Sequence, residues 1–154
     1  MNNPFLCGPK QLSQHWRELR SQLSSDKTDL EHLELVVKFW AKAPTVHQFL
    51  DWANPDTWLD PWEMLSTNNY DESSISIGMQ YTLLLSDDSR WTADRVKLAF
   101  ISLTDRSMQY VVLIIDNQYV MNFRYNAVVK LDNVANEFAI HHMYRYTNKS
   151  HAIV

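Results

Sequence analysis

Leu12, Trp16, Leu19 and Leu23 recur at helical spacing beside Arg17, Glu18 and Arg20. That pattern predicts an amphipathic helix, opened by Gly8-Pro9, with its apolar stripe on a core. Ser24 to Lys27 reads as a polar turn. Thr28 and Glu31 then have the spacing of a capping box, in which each side chain satisfies the other residue's backbone N–H. Leu30, Leu33, Val36, Val37 and Trp40 supply the buried face of this second helix, and Pro44 ends it. Thr45 and Gln48 suggest another box, opening a short helix through Phe49, Leu50 and Trp52. Asn54-Pro55-Asp56 is a turn. Asp60, Pro61 and Glu63 are an N-cap, a first-turn proline and a reciprocal acid. Tyr70-Asp71 leads into a helix over Ile75 to Leu85 that is apolar on most sides. Such a helix belongs at the centre of a fold.

The pattern changes after residue 94. Arg95 to Leu103 alternates poorly but carries Val96, Leu98, Phe100 and Ile101, and Gln109 to Ile115 is rich in β-branched residues, as strands are. Asp116-Asn117 is a two-residue hairpin signal, and Gln118 to Arg124 reads as the returning strand. Val128 to Leu131 is a short strand. Glu137 to Thr147 alternates Phe138, Ile140, His142, Tyr144 and Tyr146 with Ala139, His141, Met143 and Arg145. The reading is one α+β domain: residues 1–10 a tail, 11–86 helical, 94–147 an antiparallel sheet of four or five strands, and 148–154 a loose tail.

Composition narrows the function. Only Gly8 and Gly78 are present. Phosphate-cradling loops, dinucleotide turns and nucleophile elbows all need glycine at fixed offsets, so no nucleotide cofactor is expected. A net charge of −4 with scattered Lys and Arg argues against nucleic acid as the direct partner. No basic-then-apolar leader and no apolar run of roughly 18 residues is found, so neither a signal peptide nor a membrane span is expected. Cys7 is the single cysteine, which excludes an intrachain disulfide and suits a reducing compartment.

Candidate chemistry is sparse. Cys7 would be a nucleophile only beside a base, and otherwise packs the tail. Of His15, His32, His47, His141, His142 and His151, no two stand four apart on one helix, and adjacent strand residues His141 and His142 face opposite sides. No metal site is expected. Asp71, Glu72, Ser73 and Ser74 suit a helix start, where acids and hydroxyls complement free N–H groups. Ser73 or Ser74 could instead be a nucleophile, but it needs a base, and Met108-Gln109-Tyr110-Val111-Val112 contains no His. Trp52, Trp58 and Trp62 lie near Pro55 and Pro61 and read first as core residues; as the alternative, they and Tyr70 are the candidate docking anchors.

A helix with a polar start, then strand, short turn and strand, resembles the core of the transglutaminase-like, papain-related fold over residues 60–125. In that family a Cys begins the helix, a His lies on the next strand and an Asp on the one after. The corresponding positions here are Ser73 or Ser74, Gln109 or Tyr110, and Asn122. The resemblance therefore implies a member without the catalytic residues. The Asp60-Pro61-Trp62-Glu63 turn, Tyr70-Asp71-Glu72 and Gly78 to Leu83 are also similar to small proteins of tailed bacteriophages, marine ones in particular, over residues 30–125. That second resemblance implies a non-enzymatic virion protein, assembled in the host cytoplasm and docked on other virion proteins of the portal, neck or tail, in a symmetric or ring-associated array. The alternatives are a transglutaminase- or protease-like enzyme using Ser73 or Ser74 with His141 or His142, and a soluble phage effector or assembly factor that binds a host or phage protein.

Overall fold

The computed structural model describes residues 3–46, 51–147 and 150–154. A short 3-10 turn at Pro4–Leu6 precedes helices α1 (Pro9–Gln22), α2 (Asp29–Trp40), α3 (Pro61–Thr67) and α4 (Glu72–Leu84). Strands β1 (Val96–Leu103), β2 (Gln109–Ile115), β3 (Tyr119–Met121) and β4 (Val128–Lys130) follow, then helix α5 (Leu131–Val134) and strands β5 (Phe138–Thr147) and β6 (Ser150–Ile153). They form one antiparallel sheet of order β4-β3-β2-β1-β5-β6. Among the described residues no helix is long and apolar enough to cross a membrane.

The helix starts follow their local chemistry. Thr28 and Glu31 form the full capping box, with Glu31 N–H donating to Thr28 Oγ1 at 3.1 Å and Thr28 N–H to Glu31 Oε1 at 2.9 Å. Asp60 and Glu63 repeat it. The box expected at Thr45 and Gln48, and the short helix it would open, fall largely outside the described residues. On α2 the expected face holds at Leu33, Val36, Val37 and Trp40, and differs only at its start. Leu30 is 40% exposed, while His32 is fully buried. His32 can sit there because both ring nitrogens are bonded: Nδ1 accepts from the Trp91 indole at 3.0 Å and Nε2 donates to the Ser24 carbonyl at 2.8 Å.

Helix α4 is buried on nearly every side. Trp16 of α1 and Trp40 of α2 both donate their indole N–H to Thr82 Oγ1, at 2.8 and 3.0 Å, and that hydroxyl donates to the Gly78 carbonyl at 2.6 Å. One threonine thus satisfies two buried indoles. Beneath α4, one sheet face presents Leu98, Phe100, Val111, Leu113, Ile115 and Tyr144 to the helices. The opposite face buries Ala99, Ile101, Val112 and Ile114 against Val134 and Phe138.

With no glycine at positive φ, the chain makes its left-handed turns with Asn68, Asp116, Asn117, Asn122 and Asn126. These are the non-glycine residue types that tolerate that region best. Asp116 and Asn117, at φ 54 and 55, form the expected β2–β3 turn, with the two positive φ angles of a type I′ hairpin. The returning strand is shorter than the expected Gln118 to Arg124. Asn122 at φ 65 stops β3 at Met121.

The C-terminus corrects a second expectation. Residues 150–153 form strand β6 rather than a loose tail, paired to β5 from Thr147↔Ser150 to Tyr144↔Ile153. His151 anchors it, buried among Trp58, Tyr81 and Tyr146, with its Nε2 donating to Gln80 Oε1 at 2.6 Å. Alternation alone could not reveal this strand, because its one inward residue is a histidine. With β6 and the short β4 included, the sheet has six strands rather than four or five.

Candidate functional site

At the start of α4 the sheet is incomplete. Strand β3 pairs with β2 only as far as Leu113↔Met121. Two residues away, Val111 points its polar groups to the same side, where no strand continues. Helix α4 supplies the missing partners. Val111 N–H donates to Ser73 Oγ at 2.9 Å, and the Ser76 hydroxyl donates to the Val111 carbonyl at 2.8 Å. Asn122 closes the arrangement: its Nδ2 donates to the Glu72 carbonyl at 2.5 Å and to Ser76 Oγ at 2.8 Å. Asp71 caps the helix by accepting from Ser74 N–H at 2.5 Å.

Of the two candidate nucleophiles, Ser73 is tied into the fold by its hydroxyl, while Ser74 is bonded through its backbone N–H. Ser73 is buried, and its oxygen accepts from the sheet. Among the described residues, neither Ser73 nor Ser74 has a histidine as hydrogen-bond partner. His141 Nε2 lies 2.7 Å from Ser102 Oγ, and the His142 ring stacks on Trp52 at 4.7 Å. The two histidines do not face opposite sides as strict alternation predicts. A register shift between Phe100↔His142 and Ile101↔Ile140 leaves His141 as the extra residue of a bulge. Both rings consequently lie beside Phe100.

The residue that faces outward at this helix start is Glu72. With Ile75 and Met79, at helical spacing, it lines a cleft of about 370 Å³ between α2, α4 and the loop after β3. The spacing of these three residues is present in the sequence, but it is masked there by the adjacent serines, which suit a helix start. Val37, Trp40, Ile75 and Met79 are buried and make an apolar floor. Exposed Glu72, Arg106, Arg124 and Tyr125 make a charged and aromatic rim. Tyr110 stands in the wall. Burial first, and then the Glu72 charge, push its phenol up to about 12, against the opposing pull of Arg106 and Arg124. Arg124 is paired with Glu137 and lies over the Phe123 ring, and Arg106 lies 3.8 Å from Asp105. Glu72 has no ion pair among the described residues.

The four proposed anchors divide. Tyr70 is fully buried against Phe5 and Trp40. It is a core residue and cannot anchor a partner. Trp52 is stacked between Phe100 and His142, with ring centroids 4.7 Å from each. Trp58 packs on Tyr144 and His151 at 5.0 Å. Trp62 alone keeps half its surface free, at 53%, with its edge on Trp16. Among the described residues no group of three or more His, Cys, Asp or Glu could hold a metal ion.

No family model matches the chain, and a search of curated proteins finds no match. Solved structures do match. The calcium-bound LapG of Legionella pneumophila superposes with a TM-score of 0.72 at 15% identity, covering 96% of this chain and 81% of that one. A second LapG structure gives 0.72 at 14% identity, covering 94% and 79%. An EGTA-treated form gives 0.71 at 14% identity, covering 90% and 74%. The chain thus has the transglutaminase-like fold expected from the order of its elements.

Proposed function

We propose that this protein is a non-catalytic docking module, which holds a segment of another protein in the cleft at the start of α4. The observation that supports this most is the use made of the groups there. Ser73, Ser76 and Asn122 spend their hydrogen bonds joining helix to sheet. A nucleophile needs a base within hydrogen-bond reach to accept its proton, and the partner at Ser73 Oγ is instead a donor, the Val111 N–H.

The lining supports one chemical class of occupant. An apolar floor takes an aliphatic or aromatic side chain. The unpaired Glu72 carboxylate at the rim, on a protein of net charge −4, takes a neighbouring Lys or Arg. A peptide array probed with the purified protein tests this. Retained peptides should carry an apolar residue beside a basic one, and retention should be lost in Glu72→Lys. Retention that ignores peptide charge and survives Glu72→Lys overturns the reading.

The partner class comes from the resemblance of the Pro61-Trp62-Glu63 turn to proteins of tailed bacteriophages. On that reading the docked segment belongs to another virion protein, and the module sits in a symmetric particle. Quantitative mass spectrometry of purified particles should find it at a fixed copy number that is a multiple of the ring symmetry. Abundance in infected cells with absence from particles would instead favour an effector or assembly factor.

A further inference from the structure

Cys7 has the base that its chemistry would require. Its Sγ lies 4.0 Å from His15 Nε2, and the other nitrogen of that ring, Nδ1, lies 3.8 Å from Glu18 Oε2. Thiol, imidazole and carboxylate form a line in the order of nucleophile, base and neighbouring acid. The local fold explains the alignment. His15 and Glu18 are one turn apart on α1, and the 3-10 turn Pro4–Leu6 folds Cys7 back onto that face. Gly8, next to Cys7 in the chain, begins α1 without a side-chain cap. The group is open to solvent: the His15 and Glu18 side chains are 43% and 68% exposed, and Cys7 is half-buried. None of the three residues lines the cleft at α4.

We infer that Cys7, His15 and Glu18 form a reactive-thiol site, in which Cys7 is modified by low-molecular-weight disulfides. His15 Nε2 takes the thiol proton. The thiolate attacks one sulfur of the disulfide, a Cys7–sulfur bond forms and the original S–S bond breaks. The second half leaves as a thiolate and recovers the proton from the imidazolium. Nothing else is oxidised or reduced. The product is a mixed disulfide at the head of α1, and a free thiol restores Cys7. Glu18, 3.8 Å from Nδ1 and so beyond hydrogen-bond distance, is a charged neighbour of the ring.

The experiment uses an aromatic disulfide reagent that releases a coloured thiolate, at neutral pH, with the adduct mapped to the Cys7 peptide by mass. A half-buried thiol without activation reacts more slowly in the native protein than in the urea-unfolded chain. Native Cys7 should react faster than the unfolded reference. His15→Gln should slow the native reaction by on the order of tenfold, with far-UV circular dichroism unchanged, because the thiol then lacks the neighbouring base that takes its proton. Glu18→Gln should slow it by less. A native rate at or below the unfolded rate, or one unchanged in His15→Gln, overturns the proposal.

Discussion

Gly78 leaves just enough room for the indole of Trp40. A Cβ built on Gly78 would stand 2.5 Å from one ring carbon and 2.6 Å from the next, inside any van der Waals contact. Two effects oppose each other at this position. Helix propensity favours alanine over glycine by about 1 kcal/mol. Overpacking a well-packed core costs about 1–3 kcal/mol, and a buried ring held by its own hydrogen bond has little room to yield. Gly78→Ala should therefore lower the urea midpoint, and adding Trp40→Phe should recover part of the loss. A raised midpoint in the single variant would show that the ring moves freely.

Thr82 is the shared acceptor for Trp16 and Trp40. Thr82→Val keeps the shape and removes the oxygen, leaving two indole N–H groups without a partner. Each such buried donor costs about 1–3 kcal/mol. Chemical denaturation should report a combined loss near that of two donors. A loss under about 1 kcal/mol would mean that the indoles find other acceptors.

His151 makes stability depend on pH. Burial lowers its imidazole from 6.5 to about 4, so the folded chain keeps it neutral where the unfolded chain takes up a proton. The stabilisation is complete above about pH 6.5 and is lost as pH falls toward 4, up to about 3 kcal/mol in all. Urea midpoints measured at about pH 7 and about pH 5 should differ more for the native protein than for His151→Gln. Equal differences would place the proton uptake elsewhere.

Trp58 and Trp62 should separate on substitution. Trp58 supports Tyr144 and the buried His151, so Trp58→Ala should cost about 2 kcal/mol or more. Trp62, half exposed, should cost less than about 1 kcal/mol. Thermal melts of the two variants check the order, and a reversed order would make the Pro61–Thr67 helix the more tightly held element.

Much of this fold was legible in sequence because short-range chemistry decided it. The capping boxes at Thr28 and Asp60, the Asp116-Asn117 turn and the mostly apolar α4 each depend on residues close in the chain. The features that escaped depend on distant partners. β6 exists because His151 finds Gln80, 71 residues away. The bulge at His141 is set by its register against β1. Ser73 reads like any helix-start serine until Val111, 38 residues on, is seen to need its oxygen. The order of elements sufficed for the fold, while the cleft required knowing where β3 stops.

The most direct measurement is a ¹H–¹⁵N NMR titration of the protein with a peptide retained on the array. The expected result is a set of shifts confined to residues 37–45, 72–79, 106–110 and 122–126, weakened in Glu72→Lys, with the peptide's own signals unchanged through the experiment. Shifts centred on Trp58 and Trp62, or the steady replacement of the peptide by its cleavage products, would contradict a cleft that holds its partner without cutting it.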